Sequence, residues 1–199
     1  MKLDSRWLIM AGTVAIACAS PTWAAADLLQ NGGFESPAIE AGKQSGTSPS
    51  DWQVFSSADG NKIGLTSKLS HGGKQAVRAE AQGIPGSFQG LYQVVAVEAG
   101  AKYHFRVFAR NDSASPVKGP MRGQISIEWK DSSGTEIDRT WGPDWGTALA
   151  SDSWKEFEIT ATAPSNAVKA HFVITQHDGA EAGAGGAFIV DDAEVAAAP

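Results

Sequence analysis

Cysteine is all but missing from this chain: Cys18 is the only one in 199 residues. It lies in the N-terminal leader, so the remainder forms no disulfide and must be held by its core, with a metal ion as the other available clamp. Helical periodicity is also missing. No window beyond the leader keeps apolar residues at i, i+3, i+4 and i+7 over three turns, which argues against a helical fold. There is no Lys/Arg stripe, and 16 basic against 22 acidic residues leave a net charge of −6. That balance argues against a nucleic-acid partner. No apolar run after the leader is long enough to span a membrane.

Catalytic signatures are equally scarce. The chain has no Gly-x-Ser-x-Gly elbow and no His-Glu-x-x-His, and its four histidines do not show zinc spacing. Asp144 with Asp152, or Glu128 with Asp138, are the carboxylate pairs a small polysaccharide-degrading enzyme would use. Acid pairs of this kind arise readily by chance, so the expectation is a protein that is not an enzyme.

What is present begins with a leader. Lys2 and Arg6 precede the apolar run Trp7 to Ala17, and Ser20-Pro21-Thr22-Trp23-Ala24-Ala25-Ala26 has small residues at signal-peptidase spacing. Residues 1–26 read as a secretory signal peptide, cut after Ala24 or Ala26, which implies a periplasmic or extracellular protein. A lipoprotein signal ending at Cys18 is the rival, and the missing Leu three residues before it counts against that. Residues 27–196 then form one domain, and 197–199 a tail. About 170 residues suffice for one core.

Short alternating runs separated by Gly, Pro, Asn, Asp and Ser fill that domain, the pattern of an all-β sandwich. Lys102 to Arg110 alternates most clearly, with Tyr103, Phe105, Val107 and Ala109 on one face and His104, Arg106, Phe108 and Arg110 on the other. The expected strands include Leu28–Asn31 at the start and Phe188–Val195 at the end. Residues 38–51, 141–152 and 178–187 read as loops. In the opening stretch, Asn31-Gly32-Gly33 bends the backbone where positive φ is tolerated. Glu35 there is either a solvated carboxylate at a strand end or a cation ligand. Asp191 is either a buried acid needing a partner or the polar end of an edge strand. Eight to ten strands make a two-sheet antiparallel sandwich, most economically a jelly roll.

Four stretches, in order, resemble carbohydrate-binding modules of the family 4/9/22 type, in the galactose-binding-like jelly-roll group. They are Asn31-Gly32-Gly33-Phe34-Glu35; Gly90-Leu91-Tyr92-Gln93-Val94-Val95 followed by Gly100 to Phe105; Trp154 with Phe157 and Pro164; and Phe188 to Val195. The resemblance implies a structural Ca²⁺ near the chain ends, with Glu35 and Asp191 as acidic ligands and main-chain carbonyls near Ser70, His71 or Lys74. It also implies a sugar cleft on the outer face of one sheet, lined by His104, Arg106, Phe108, Glu128 and His171.

Sugar recognition needs flat aromatic faces rimmed by polar groups. Trp141 and Trp145, in a Gly/Pro/Asp loop with little apolar company, are either exposed platforms or tucked beneath the loop. Trp52 is open to either use, and Phe88 and Tyr92 are further candidates. Trp129 shares a face with Ile125 and Ile127 and belongs in the core, as Trp154 does by the resemblance. The expected function is a secreted, non-catalytic protein binding a polysaccharide or glycoconjugate. The alternative is a structural or adhesion module of the cell envelope without a sugar site.

Overall fold

Ten strands make up the regular structure of the described residues, and no helix accompanies them. The computed structural model describes residues 26–60 and 62–198. Residues 1–25 of the expected signal peptide, Cys18 among them, lie outside the described residues. The strands are β1 (Gln53–Ser56), β2 (Ile63–Thr66), β3 (Ala76–Glu80), β4 (Phe88–Ala96), β5 (Lys102–Asn111), β6 (Arg122–Lys130), β7 (Glu136–Trp145), β8 (Lys155–Thr162), β9 (Lys169–His177) and β10 (Ala187–Ala198). They form two five-stranded antiparallel sheets, ordered β1-β4-β9-β6-β7 and β2-β3-β10-β5-β8. The all-β sandwich expected from the alternation is the observed architecture.

Burial follows the two-residue period. In β5, Tyr103, Phe105, Val107 and Ala109 are buried, while His104, Arg106, Phe108 and Arg110 are half-buried on the outer side. Successive side chains leave a strand on opposite faces, so one apolar face per sheet suffices to build the core. Trp129, Phe105, Phe172 and Phe188 are fully enclosed there. Phe105 meets Phe172 edge-on at 5.4 Å between ring centroids.

Three expectations fail for physical reasons. Residues 141–145 are not loop but the second half of β7. Gly142-Pro143-Asp144 reads as a breaker, yet β7 is an edge strand, where a proline without an N–H faces solvent and costs no ladder bond. Leu28–Asn31 is not a strand. It runs beside β10 instead, held by Leu28 N donating to Val195 O at 2.8 Å and Ala193 N to Gly32 O at 3.0 Å. Trp154 lies outside the core, half-buried, with Arg110 over its ring at 5.7 Å.

The opening bend follows its reading at Asn31 and departs from it at the glycines. Positive φ falls on Asn31 (52°) and Phe34 (53°), not on the glycines between them. Gly32 is required by proximity: a Cβ there would stand 2.1 Å from the Ala193 carbonyl oxygen. The glycine lets the N-terminal segment lie flat against β10, at the bulge between Asp191 and Glu194.

Candidate functional site

Strand pairing aligns one residue from each strand across the first sheet. Gln53 faces Tyr92, Tyr92 faces Val173, Val173 faces Ser126, and Ser126 faces Trp141. All five side chains leave the same outer face. The two aromatics therefore stand three strand spacings apart, about 14 Å. Between them lie only the short side chains of Val173 and Ser126, both buried. Large residues at the margins and small ones in the middle make a groove of about 510 Å³.

Aromatic residues wall the groove on the β1-β4 side. Tyr92 stacks on His171 at 4.6 Å, and its hydroxyl donates to Gln53 Oε1 at 2.7 Å. Phe55 stands 6.1 Å from Tyr92 and 6.3 Å from Phe88, which is 42% exposed. Gly90 makes room for this arrangement, because a Cβ there would meet the Phe55 ring at 2.4 Å. On the β7 side Trp141 is 54% exposed, and the Arg139 guanidinium lies 4.8 Å from its ring centre. That contact covers one face of the indole and leaves the other to solvent.

A charge network stiffens the groove floor. Arg139 Nη2 reaches Glu128 Oε1 at 2.8 Å, Lys130 Nζ reaches Glu128 Oε2 at 3.2 Å, and His171 Nδ1 stands 3.6 Å from the same oxygen. Lys130 and Arg139 also hold Glu136 at 2.9 Å each. Burial pushes the Glu128 carboxyl up, but His171, Lys130 and Arg139 together pull it below its ordinary value. The Glu136 carboxyl drops to about 2, chiefly through its bonds to Arg139. At one end of the groove, burial, and then the charges of Arg122 and Arg139, push the His177 imidazole below its ordinary value. Its Nε2 is buried with no hydrogen-bond partner among the described residues.

The structure sorts the expected binding residues into three places. Trp141, Tyr92, Glu128 and His171 come together in this groove. His104, Arg106 and Phe108 do not; they lie on the outer face of the other sheet, on β5. There His104 pairs with Glu158, Arg106 with Glu156 and Glu194, and Phe108 stacks on His71 at 3.9 Å. Trp145 is 4% exposed, packed against Phe157 and Phe188, and Trp52 is 6% exposed against Phe34. Neither offers a face to a ligand. Phe55, Lys130, Arg139 and His177 escaped the sequence reading. Arg139 was the findable one, sharing a face with Trp141 once β7 is read as a strand.

Of the two carboxylate pairs an enzyme would use, Glu128 with Asp138 is separated by the register. Glu128 faces Arg139 and Asp138 faces Trp129, so the two acids leave the sheet on opposite sides.

At the chain ends, Glu35 and Asp191 hold one loop between them. Asp191 Oδ2 accepts the backbone N–H of His71 at 2.7 Å and of Gly72 at 3.2 Å. Glu35 Oε1 accepts those of Lys74 at 2.7 Å and Gln75 at 2.9 Å. Asp191 is fully buried, and burial pushes its carboxyl up to about 7 against the opposing pull of backbone N–H groups. Neither acid has an ion pair among the described residues. A buried carboxylate without counter-charge is the kind of oxygen donor a hard cation takes, although the 70–75 loop turns backbone N–H groups toward both acids. No group of three or more His, Cys, Asp or Glu gathers around a metal position among the described residues. An ion there would rely on main-chain oxygens.

A two-sheet sandwich with an open, aromatic-walled groove on one sheet face has the form of a ligand-binding module. The family model described as a carbohydrate binding domain, CBM_4_9, matches residues 26–179, and the chain belongs to that family. No curated protein sequence matches it. Among solved structures, TmCBM61 in complex with β-1,4-galactotriose is 18% identical, with a TM-score of 0.52 over 87% of this chain and 99% of that one. The CBM22-1 xylan-binding domain of Paenibacillus barcinonensis Xyn10C is 15% identical, with a TM-score of 0.52 over 80% of this chain and 97% of that one. The enzymatically active domain of tailspike protein 4 from bacteriophage CBA120 is 12% identical at a TM-score of 0.62; this chain covers only 21% of its length. These likenesses establish the jelly-roll fold. No helix among the described residues is long and apolar enough to cross a membrane.

Proposed function

We propose that the protein is a secreted, non-catalytic module that binds a polysaccharide chain along the groove between Tyr92 and Trp141. The observation that carries this is the row across β4, β9, β6 and β7, with Tyr92 and Trp141 at its ends and Val173 and Ser126 as its floor. Aromatic faces take the C–H faces of sugar rings, and Arg139, His171, Thr175 and Gln53 supply groups for hydroxyls. Glu128, held by cations, positions Arg139 and Lys130 and is poorly suited to act as an acid. Secretion rests on the leader at residues 1–26.

Glu35 and Asp191 would hold a structural Ca²⁺ together with main-chain oxygens of residues 70–74. The ion would supply the positive charge that the two acids lack and tie the chain ends to that loop. Its role would be stability, because Glu35 and Asp191 are not among the residues lining the groove.

The test is a pull-down against insoluble polysaccharides and affinity electrophoresis in soluble ones, with and without calcium. Xylan and β-1,4-galactan come first, because the similar solved modules are a xylan-binding domain and a module in complex with β-1,4-galactotriose. Retardation by at least one polysaccharide is expected. Absence of binding to the whole panel refutes the proposal.

A further inference from the structure

The outer face of the second sheet carries a pocket of about 290 Å³ that the groove does not use. Pairing aligns Gly64, Arg78, Ile189 and Arg110 across β2, β3, β10 and β5. Two guanidinium groups therefore rise on either side of Ile189, with backbones about 10 Å apart. Lys68 and Leu69 lie at the rim, and the turn from Asp112 to Ser115 closes one side. That turn is fixed by Ala114 N donating to Asp112 Oδ1 at 2.9 Å.

The cations of this pocket are unevenly matched. Arg78 is 7% exposed and fully answered: its Nε donates to Asp112 Oδ2 at 2.7 Å and its Nη1 to Glu80. Arg110 is not answered by any acid among the described residues. Its Nη2 donates to the Ser151 carbonyl and its plane lies over Trp154, which fix its direction without cancelling its charge. Its Nε is buried with no hydrogen-bond partner among the described residues. Lys68 likewise forms no ion pair among them. Arg110 and Lys68 therefore bring to this pocket two positive charges that no acid among the described residues cancels, which favours an anion there.

We propose that this pocket is a second binding site, which takes the carboxylate of an acidic sugar. Arg110 and Lys68 would hold the carboxylate, and Arg favours this planar anion over a point charge. Thr66, Ser113 and Ser115 line the pocket with hydroxyls suited to the sugar's own, and Leu69 and Ile189 provide apolar surface for its ring. The volume suits one sugar residue rather than a run of them. Because the pocket and the groove lie on opposite faces of the sandwich, the module would engage two chains at once. Binding there does not depend on the groove.

The experiment titrates galacturonic acid, galactose and sodium sulfate separately into isotope-labelled protein and follows amide shifts by NMR. Galacturonic acid should shift Ser113, Ala114, Ser115 and Arg110 and bind at least tenfold tighter than galactose. Lys68→Gln and Arg110→Gln should each weaken it at least fivefold, and added salt should weaken it further. Lys68 is exposed, so Lys68→Gln keeps the test valid if Arg110→Gln disturbs folding. Trp141→Ala should leave galacturonic acid binding unchanged. The proposal is overturned if galacturonic acid binds no better than galactose. It is also overturned if Lys68→Gln binds like the parent, if Trp141→Ala abolishes binding, or if sulfate binds equally well and marks a general oxyanion site. Failure of the polysaccharide panel alone would refute the groove and leave this site standing.

Discussion

Replacing Trp141 by alanine is the sharpest perturbation of the groove. The indole is 54% exposed, which for a side chain of about 250 Å² leaves about 130 Å² in solvent. Arg139 occupies one face, so a sugar ring covers about half of the exposed area, ~65 Å², worth about 1.6 kcal/mol at ~25 cal/mol per Å². Stacking geometry adds about 0.5 kcal/mol. The sum of about 2 kcal/mol corresponds to a Kd roughly 30-fold weaker. Folding should be nearly untouched, because only the Arg139 contact, about 0.5–1 kcal/mol at an exposed site, is lost. The assay is titration calorimetry against the best polysaccharide from the panel, beside a melting curve for each protein. Parental affinity in Trp141→Ala would refute the groove as the site. A large fall in melting temperature would refute the claim that Trp141 is free for a ligand. Trp145→Ala is the control: with its ring enclosed against Phe157 and Phe188, it should lose stability rather than bind weakly.

Asp178 is fully buried and accepts from Gln82 N at 3.2 Å, Ile84 N at 2.9 Å, Ser87 Oγ at 3.1 Å and Gln176 Nε2 at 2.6 Å. Asp178→Ala strands these donors and should cost about 3–4 kcal/mol in denaturant unfolding; a loss under about 1 kcal/mol would show that water replaces the carboxylate. The Glu136 carboxyl, at about 2, lies below its ordinary value of 4.5, so its contribution is present above pH 4.5 and is lost as pH falls toward 2. Melting temperature should decline across that window, more shallowly in Glu136→Gln; identical slopes would exclude the pair with Arg139 as the cause. Excess chelator should lower the melting temperature and added calcium restore it, since an ion that binds only the folded chain stabilises it. An unchanged curve would count against an ion at Glu35 and Asp191.

Much of the scaffold is legible in the chain because it depends on local chemistry. The alternation of Tyr103, Phe105, Val107 and Ala109 separates the faces of β5 without reference to any neighbour. Trp129, on the same face as Ile125 and Ile127, is buried as that shared face requires. The scarcity of cysteine and of helical periodicity, with turn residues between short runs, leaves a sandwich as the economical fold. Gly32 and the Asp191-Asp192 step mark the meeting of the chain ends, although the reason for the glycine is a close carbonyl and not its own φ.

The site was decided by tertiary structure. A two-residue period divides a strand into two faces, but it does not say which strands lie side by side or which sheet carries the open groove. β4 pairs with β1 and β9, and β6 with β7 and β9, so Tyr92, Val173 and the β6-β7 pair Ser126 and Trp141 form one row from three distant parts of the chain. His104, Arg106 and Phe108 have the same polar-face pattern as Glu128 and His171 and lie on the opposite sheet. Trp141 and Trp145 share one apparent breaker segment, yet on the edge strand β7 one stays outside and the other enters the core. Composition and period determined that this chain folds as a sandwich; strand order determined where its groove lies.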